Sequence, residues 1–428
     1  MRSRLNARIV RPGPKQSRER PNVKVEFFFD IVCPYAYLAS TRIEAIAAQA
    51  STTVEWKPIL LGGLFKHVGA PQAPSMSPAR ARMNLLDMQR FAEAWGVELK
   101  MPSAHPRRSV EAMRLLISTP PEHRAELAHA LFRAYWVEGR DVADPSVLVD
   151  LAGGHFIARP EAREALIAAT AEAAALGLFG VPAMRVGDRF FWGQDRLELV
   201  EAALGLEVAK PGARQTPGAT LHFFHDFSSP FSYLASTQVE RVAREAGAAL
   251  RLRPILLGAL FREIGTPDVP LFSFNTVKQA YYLRDLTDWA DHWEVPFRFP
   301  DVFPFRTVLP LRLALAVPDL TSILYRAAWV EGRDIGDPLV LEALLNEQLL
   351  PGAALVKRAQ TEDALKATLR ENTAEAIAWG ACGAPTFAVV TDGQRPLLFW
   401  GQDRLGQVTE ALHGWRPRAD GLAEGEPR

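Results

Sequence analysis

The chain has 428 residues, of which 48% are hydrophobic and 23% charged, enough for two or three globular domains with full cores. Its 49 basic residues balance 49 acidic ones, so no net charge favours nucleic acid or a membrane surface as a partner. No apolar run reaches the roughly 18 residues of a membrane-spanning helix, and two cysteines cannot build a disulfide framework. These features predict a cytoplasmic globular protein that binds neither nucleic acid nor membrane.

The N-terminal residues 1–22 carry seven basic side chains and one acidic side chain, which predicts a disordered basic arm. The aromatic-rich run at 23–30 predicts a buried strand. Cys33-Pro34 follows directly and predicts a helix start, because proline is favoured at the first helical position. A second strand is predicted to end near 56–58.

A long helical stretch is predicted at 77–175, with breaks at the proline-rich segments 102–106 and 119–121. A strand that begins at Pro182, a short strand at 189–192 and a final helix at 194–204 close the unit. Strands at both ends with helices between them indicate an α/β domain that is interrupted by a helical insertion.

The whole unit is present twice. Four blocks recur in the same order: YLAST at 37–41 and 233–237, PILLG at 58–62 and 254–258, WVEGRD at 136–141 and 329–334, and WGQDRL at 192–197 and 400–405. A repeat of this length indicates a tandem duplication, since solenoid repeats are far shorter. We therefore predict a first domain at 23–205, a linker at 206–219, a second domain at 220–415 and a loose tail at 416–428.

The helix start of the second copy, Ser229-Pro230, is the first candidate for chemistry. A serine there can accept from free backbone N–H groups, and the helix dipole stabilises an anion such as a thiolate. Simple capping is the alternative role for Ser229. The first copy has Cys33 at the same position, and because cysteine is a poor cap and a good nucleophile, the position indicates oxygen or sulfur chemistry.

These motifs in combination resemble the kappa-class glutathione transferase and 2-hydroxychromene-2-carboxylate isomerase family. The resemblance rests on an aromatic strand followed by Asp226, the helix start SPFSYL at 229–234, Gly-Ala-Pro at 383–385 before a strand, and WGQDRL at 400–405. It covers both halves of the chain. It implies two tandem thioredoxin-like α/β domains, each interrupted by an all-helical insertion as in DsbA, and glutathione as the cofactor.

The resemblance also implies roles for individual residues of the second copy. Ser229 would hold the glutathione sulfur as a thiolate, and Pro385 would be a cis-proline whose preceding residue, Ala384, bonds the cysteinyl part of glutathione. A strand-start proline that needs no ligand is the alternative for Pro385. Gln402 and Asp403 would bind the γ-glutamyl group; a carboxylate that only complements the helix dipole is the alternative for Asp403.

A substrate site is implied in the helical insertion of the second copy. Lys278 and Tyr281 would lie near an aromatic substrate, with Lys278 binding its carboxylate; a lysine on a solvated helix face is the alternative. Trp329 lies on an apolar helix face and is predicted to be part of the core rather than a ligand contact.

The first copy departs from the family pattern. Cys33 replaces the serine, Ala36 stands where redox relatives have a second cysteine, and Arg80 and Met83 replace Lys278 and Tyr281. The Cys33 thiol, at a helix N-terminus, is predicted to have a lowered pKa, so that it could form a mixed disulfide with glutathione or be a relict. The family's glutathione-binding positions persist in this copy as Val181, Pro182, Gln194 and Asp195. We predict that the second copy is the active one.

The resemblance implies a glutathione-dependent cis-trans isomerase that acts on an intermediate of aromatic degradation. A kappa-like transferase, a Cys33-dependent thiol-disulfide oxidoreductase and a glutathione-binding module without chemistry are the alternatives. No metal is predicted, because His222 and His225 lie three apart on a strand and therefore on opposite faces. The fused copies would form a pseudo-dimer within one chain, and the sequence leaves open whether the chain dimerises again.

Overall fold

The computed structural model describes residues 24–70, 76–153, 161–207, 218–267 and 269–418. The predicted basic arm, the centre of the predicted linker and most of the predicted tail lie outside these described residues. Within them, no helix combines the length and the apolar character needed to cross a bilayer.

Each copy contains a four-stranded mixed sheet. In the first copy the strands are β1 (Val25–Phe29), β2 (Val54–Pro58), β3 (Ala183–Val186) and β4 (Arg189–Trp192), in the spatial order β2-β1-β3-β4. β1 is parallel to β2 and antiparallel to β3, and β3 is antiparallel to β4. Two connections join the first three strands. A short crossover that contains one helix joins β1 to β2, and the long helical insertion joins β2 to β3.

The second copy repeats this sheet with the same order and directions. Its strands are β5 (Ala219–His225), β6 (Ala249–Pro254), β7 (Thr386–Thr391) and β8 (Leu397–Trp400). The central strand is in both copies the aromatic run that the sequence marks as buried, and Phe27, Phe29, Phe223 and Phe224 are fully inaccessible to solvent. Aromatic side chains favour such strands because they fill both faces of a covered sheet.

The helices of the first copy follow the same plan as those of the second. In the first copy they are α1 (Pro34–Gln49), α2 (Leu61–His67), α3 (Pro78–Ala94), α4 (Val110–Ser118), α5 (Pro121–Trp136), α6 (Pro145–Leu151), α7 (Glu161–Ala175) and, after a 3₁₀ turn at Gln194–Arg196, α8 (Leu197–Ala203). In the second copy they are α9 (Pro230–Glu245), α10 (Leu257–Glu263), α11 (Pro270–Ser273), α12 (Thr276–His292), α13 (Val308–Ala316), α14 (Leu320–Trp329), α15 (Pro338–Glu347), α16 (Gly352–Thr361), α17 (Asp363–Trp379) and, after a 3₁₀ turn at Gln402–Arg404, α18 (Leu405–Leu412). The predicted fold class, two thioredoxin-like domains with helical insertions, is confirmed.

The helical insertion is more broken than the sequence prediction has it. The predicted breaks at 102–106 and 119–121 are present, but the chain also leaves the helix after Trp136. Gly139 there adopts a φ of +68°, a conformation that ends helices, and the Asp144 side chain then caps α6 by accepting from the Ser146 N–H. The glycine and the Asp-Pro pair were the signals for this break.

In each copy a buried tryptophan of the helical insertion forms a hydrogen bond with the loop that follows the central strand. Trp136 is fully buried and its indole N–H donates to the Ile31 carbonyl at 2.8 Å, and Trp329 makes the same bond to Phe227. The prediction that Trp329 is a core residue is confirmed. Because the accepting carbonyls lie just before the two helix starts, the insertion helps to position those starts.

Candidate functional site

Ser229 lies at the N-terminus of α9 as its N-cap. Its hydroxyl oxygen accepts from the Ser232 N–H at 3.1 Å, and the hydroxyl donates to the Ala384 carbonyl at 2.8 Å. The residue is 4% exposed, yet it lines a cavity. Proline at the next position fixes the first turn of the helix, so the hydroxyl is held where the backbone N–H groups converge. The capping bond, which the sequence offers as the alternative role for Ser229, is present, and the same residue lines a cavity.

Cys33 occupies the equivalent position of the first copy but makes no capping bond. Its thiol donates to the Val181 carbonyl at 3.2 Å. Burial raises the pKa of the Cys33 thiol to about 12, outweighing the opposing effect of the nearby Ala36 and Tyr35 backbone N–H groups. The prediction of a lowered pKa for Cys33 was therefore wrong: loss of hydration costs the thiolate more than the helix terminus gives back.

Both carbonyls that accept these bonds precede a cis-proline. The Val181–Pro182 and Ala384–Pro385 peptide bonds are cis, which confirms the prediction for Pro385. In each copy the side chain at the helix start therefore donates to the carbonyl that precedes the cis-proline, through a hydroxyl in the second copy and a thiol in the first.

The two cis-proline loops border one cleft between the copies, which we call the shared cleft. It encloses about 260 Å³. Its lining includes, from the first copy, Tyr35, Arg80, Asp87, Val181, Pro182, Gln194, Asp195 and Arg196, and from the second copy Phe231, Tyr282, Ala384, Pro385, Trp400, Gln402, Asp403 and Arg404. All eight residues that the sequence predicts to bind glutathione thus lie around a single space.

Gln402 is the clearest unsatisfied group of this cleft. The residue is 1% exposed, and neither its amide nitrogen nor its amide oxygen has a hydrogen-bond partner among the described residues. Leaving both atoms of a buried amide unpaired is costly, so the side chain fits a bound molecule that offers both a donor and an acceptor. The amino-acid end of a γ-glutamyl group offers both, and glutathione is therefore compatible with the residues present.

Two arginines that the sequence prediction missed form ion pairs between the copies at the shared cleft. Arg196 Nη1 lies 2.6 Å from Asp403 of the other copy, and Arg404 Nη2 lies 2.8 Å from Asp195 in return. Arg196 also contacts Asp285 on α12, and Arg404 contacts Asp87 on α3, each at 2.7 Å. Both arginines belong to the repeated WGQDRL block, so the repeat was the signal that could have found them.

These ion pairs set the direction of the pKa shift of Asp195. Burial raises the pKa of Asp195, but the guanidinium groups of Arg196 and Arg404 outweigh it, so that the net direction is down. Burial, in contrast, raises the pKa of Asp87 and of Asp285 despite their arginine partners. Asp195 and Asp403 therefore join the two copies, a role that the sequence prediction did not assign to them.

A second space opens beside Ser229, which we call the Ser229 cavity. It encloses about 190 Å³. Its walls are mainly apolar and come from Pro230, Phe231, Leu257, Phe261, Val269, Pro270, Leu271, Phe274, Leu286, Phe299, Phe303, Pro304 and Ala384, with Ser228, Ser229, Thr266, Tyr282, Trp400, Cys382 and Arg80 as the side chains that carry polar atoms or sulfur. Arg80, Phe231, Tyr282, Ala384 and Trp400 line both spaces, so the cavity and the shared cleft adjoin.

Neither of the two predicted substrate residues, Lys278 and Tyr281, is among the described residues that line the Ser229 cavity. Tyr281 is buried between the copies, where its hydroxyl accepts from the backbone N–H of Trp192 at 2.8 Å, and it is Tyr282 that borders the Ser229 cavity. Lys278 Nζ lies over the rings of Phe274, Trp192, Phe179 and Tyr282, at 4.2 to 5.8 Å from their centroids. Burial, aided by the nearby Arg80, lowers the pKa of Lys278 to about 8.

Together, two sheets with a helix start facing a cis-proline define a pair of thioredoxin-like domains. The DSBA-like thioredoxin domain family matches residues 24–205 and 220–413, and the chain therefore belongs to that family, in two copies.

Within this family, the chain is similar to several enzymes of known activity. The chain is 30% identical to the 2-hydroxychromene-2-carboxylate isomerase of Pseudomonas putida over 192 residues, which are 42% of this chain and 94% of the relative. It is 29% identical to glutathione S-transferase kappa 2 of Caenorhabditis elegans over 206 residues, 44% of this chain and 90% of the relative. A solved structure of 2-hydroxychromene-2-carboxylate isomerase is 29% identical, covers 42% of this chain and 94% of its own, and has a TM-score of 0.38. The relatives are enzymes, and each corresponds to one copy of the duplicated unit.

Proposed function

We propose that the second copy is a glutathione-dependent isomerase of the 2-hydroxychromene-2-carboxylate isomerase type, with Ser229 stabilising the glutathione thiolate. The observation that carries this proposal is that the cavity lined by Ser229 adjoins a second space of different character. The Ser229 cavity is mainly apolar, while the adjoining shared cleft contains the unsatisfied amide of Gln402. The first space suits an aromatic substrate and the second suits a peptide-like cofactor.

The residues of the second copy would bind glutathione along the border of these spaces. Gln402 would bind the γ-glutamyl end, with Asp403 beside it, and Ala384 and Pro385 would lie along the cysteinyl part. When bound there, glutathione would supply a thiolate that adds reversibly to a conjugated enone of the substrate and so permits rotation about a carbon–carbon bond.

Ser229 has one hydroxyl proton to donate, and it donates that proton to the Ala384 carbonyl at 2.8 Å. Rotation of the hydroxyl toward the sulfur would redirect that proton to the thiolate, while the N-terminus of α9 adds its positive potential. Lowering the thiol pKa from about 8.5 by about two units requires roughly 2.7 kcal/mol. A charge-assisted hydrogen bond and a helix terminus are together sufficient for this amount.

The test is a titration of the full chain with reduced glutathione, followed by calorimetry and by thiolate absorbance across pH. We expect one or two sites and a bound-thiol pKa about two units below that of free glutathione. Ser229→Ala should raise that pKa by at least about one unit, because the donor is lost. The matched substitution in the first copy, Cys33→Ser, should leave the value at the second copy unchanged. No binding at millimolar glutathione would overturn the proposal.

A kappa-like transferase is the second candidate, favoured by the similarity to glutathione S-transferase kappa 2. The two activities differ in what happens to glutathione. With 2-hydroxychromene-2-carboxylate as substrate, the isomerase releases glutathione unchanged, and its concentration stays constant while product forms. A transferase consumes one glutathione for each electrophile, so measuring free thiol during turnover separates the two.

The third alternative, a thiol-disulfide oxidoreductase that uses Cys33, has less support. The thiol is buried, its pKa is raised to about 12, and Ala36 leaves no resolving thiol in the adjacent turn. A protonated, shielded thiol is a slow nucleophile.

A further inference from the structure

One cation reaches the Ser229 cavity, and it belongs to the other copy. Among the described residues that line this cavity, Arg80 is the only one with a charged side chain. It lies on α3 of the first copy, and its guanidinium stacks 5.2 Å above the Trp400 ring of the second. The apolar walls and the single positive charge therefore come from different halves of the chain.

The Arg80 guanidinium has no counter-charge within the described part of the chain. It takes part in no ion pair there, and its Nε is buried without a hydrogen-bond partner. Helix stability does not explain its position either. α3 begins at Pro78, so that Arg80 lies in the first turn, where the helix dipole disfavours a positive charge. A cation kept unpaired at an unfavourable position beside an apolar cavity is suited to binding an anion from outside the protein.

Lys278, a cation of the second copy, in the same way contacts a tryptophan of the first copy. It occupies the position on α12 that Arg80 occupies on α3, and its Nζ lies 5.3 Å from the centroid of Trp192, in the first copy. Lys278 does not line the Ser229 cavity. Each copy thus extends its cation onto the tryptophan at the end of the other copy's sheet, and of these two cations Arg80 is the one that lines the Ser229 cavity.

We propose that Arg80 binds the carboxylate of an aromatic substrate in the Ser229 cavity, so that the first copy completes the site of the second. A guanidinium binds a carboxylate through two parallel hydrogen bonds, and one unpaired guanidinium matches one negative charge. The aromatic and aliphatic walls accommodate the rest of a planar molecule. This assignment rests on the proposed function, because it takes the Ser229 cavity as the place where the substrate binds.

The experiment measures binding of 2-naphthoate and of its neutral analogue 2-naphthamide to the full chain without glutathione. Quenching of tryptophan fluorescence gives both dissociation constants. We expect naphthoate to bind at least about tenfold more tightly than naphthamide, since a buried charge-assisted pair distinguishes the two. Arg80→Met should abolish that preference and leave the naphthamide affinity unchanged, which also shows that the cavity is intact. Arg80→Lys should restore part of it.

Two control variants make the result specific. Arg82→Met removes the same charge from an exposed position two residues further along α3, and Lys278→Met removes the cation that the sequence pattern would assign to this site. Both should keep the preference for naphthoate. A preference that persists in Arg80→Met, a loss of preference in Lys278→Met, or no binding of either probe to the unaltered protein would overturn the proposal. A glutathione titration of the same samples is independent of this result, so failure of the cofactor and failure of the carboxylate site are distinguishable.

Discussion

At the scale of single residues, the position at the start of the first helix of each copy carries a serine in one copy and a cysteine in the other, and both side chains donate the same hydrogen bond. Ser229 and Cys33 both donate to the carbonyl before a cis-proline, but only the hydroxyl also accepts a capping bond. The sequence identifies the pair, because the surrounding motif is repeated. It does not reveal the pKa of Cys33, because that value depends on how completely the fold removes water from the sulfur.

The first prediction concerns the reactivity of the two cysteines. Burial raises the pKa of Cys33 and of Cys382 to about 12, so that almost no thiolate is present at pH 8. In the native protein we expect both thiols to react with a disulfide reagent at least about a hundredfold more slowly than free cysteine. Unfolding the protein in guanidinium should release two reactive thiols and serves as the control. Rapid labelling of one native thiol at Cys33 would restore the oxidoreductase alternative.

A second residue-scale prediction concerns His225, whose Nδ1 lies 3.0 Å from the Tyr325 hydroxyl. Burial lowers its pKa to about 3, against about 6.5 when unfolded. Below pH 6.5 the unfolded chain therefore binds a proton that the folded protein rejects, and stability falls as pH falls. Between pH 7 and pH 5 we expect this residue to remove on the order of 2 kcal/mol from the free energy of unfolding.

His225→Phe is the matched variant, because the first copy has Phe29 at the equivalent position. The free energy of unfolding of this variant in urea should depend less on pH between pH 7 and pH 5. This expectation concerns the slope with pH and holds even if the substitution changes the free energy of unfolding at pH 7. An unaltered pH dependence would contradict the assigned pKa.

At the scale of structural elements, the turn between the last strand and the last helix positions the interface residues. Gly193 and Gly401 adopt φ values of +103° and +110°, and these turns direct Asp195 and Asp403 toward the other copy. A Cβ atom built on Gly401 would lie 2.5 Å from Asp403 Oδ1. Glycine is therefore required both by the backbone conformation and by the close approach of its own turn.

We therefore expect Gly401→Ala to lower the free energy of unfolding by about 1–3 kcal/mol and to disturb the Arg196–Asp403 pair. Gly406→Ala, in the first turn of α18, is the control: no atom lies within 4 Å of a Cβ there, and its φ is not positive. That change should be neutral or stabilising by up to about 1 kcal/mol. Urea unfolding of both variants tests this, and equal effects would refute the explanation.

At the scale of the whole molecule, the two copies are joined as a homodimer would be, by reciprocal contacts. The Arg196–Asp403 and Arg404–Asp195 pairs exchange partners between copies, and the bonds to Asp285 and Asp87 repeat this symmetry. Such a self-complementary interface is typical of twofold symmetry. Covalent fusion preserves it while allowing Ser229 and Cys33, or Lys278 and Arg80, to differ.

Removal of one of these arginines should be strongly destabilising. Arg404→Met would leave Asp87 and Asp195 buried without this counter-charge, and we expect a loss of about 3–5 kcal/mol in the free energy of unfolding. Arg333→Met breaks ion pairs to Glu331 and Glu347 at a more exposed site and should cost less than about 1 kcal/mol. If the two variants were equally stable in urea, the buried network would not hold the copies together.

The sequence alone predicts the duplication, the order of the strands, the two helix starts and the motif residues around the cleft, although not every break in the helical insertion. These follow from local patterns: alternation, proline and serine at a helix start, and blocks repeated in one order. Tertiary contacts bring both sets of motif residues to one cleft, raise the pKa of Cys33 by burial, place Tyr281 between the copies and bring Arg80 rather than Lys278 to the lining of the Ser229 cavity. The physical reason is that burial and the meeting of charges depend on contacts between residues that lie about 100 to 300 positions apart, which no local pattern encodes.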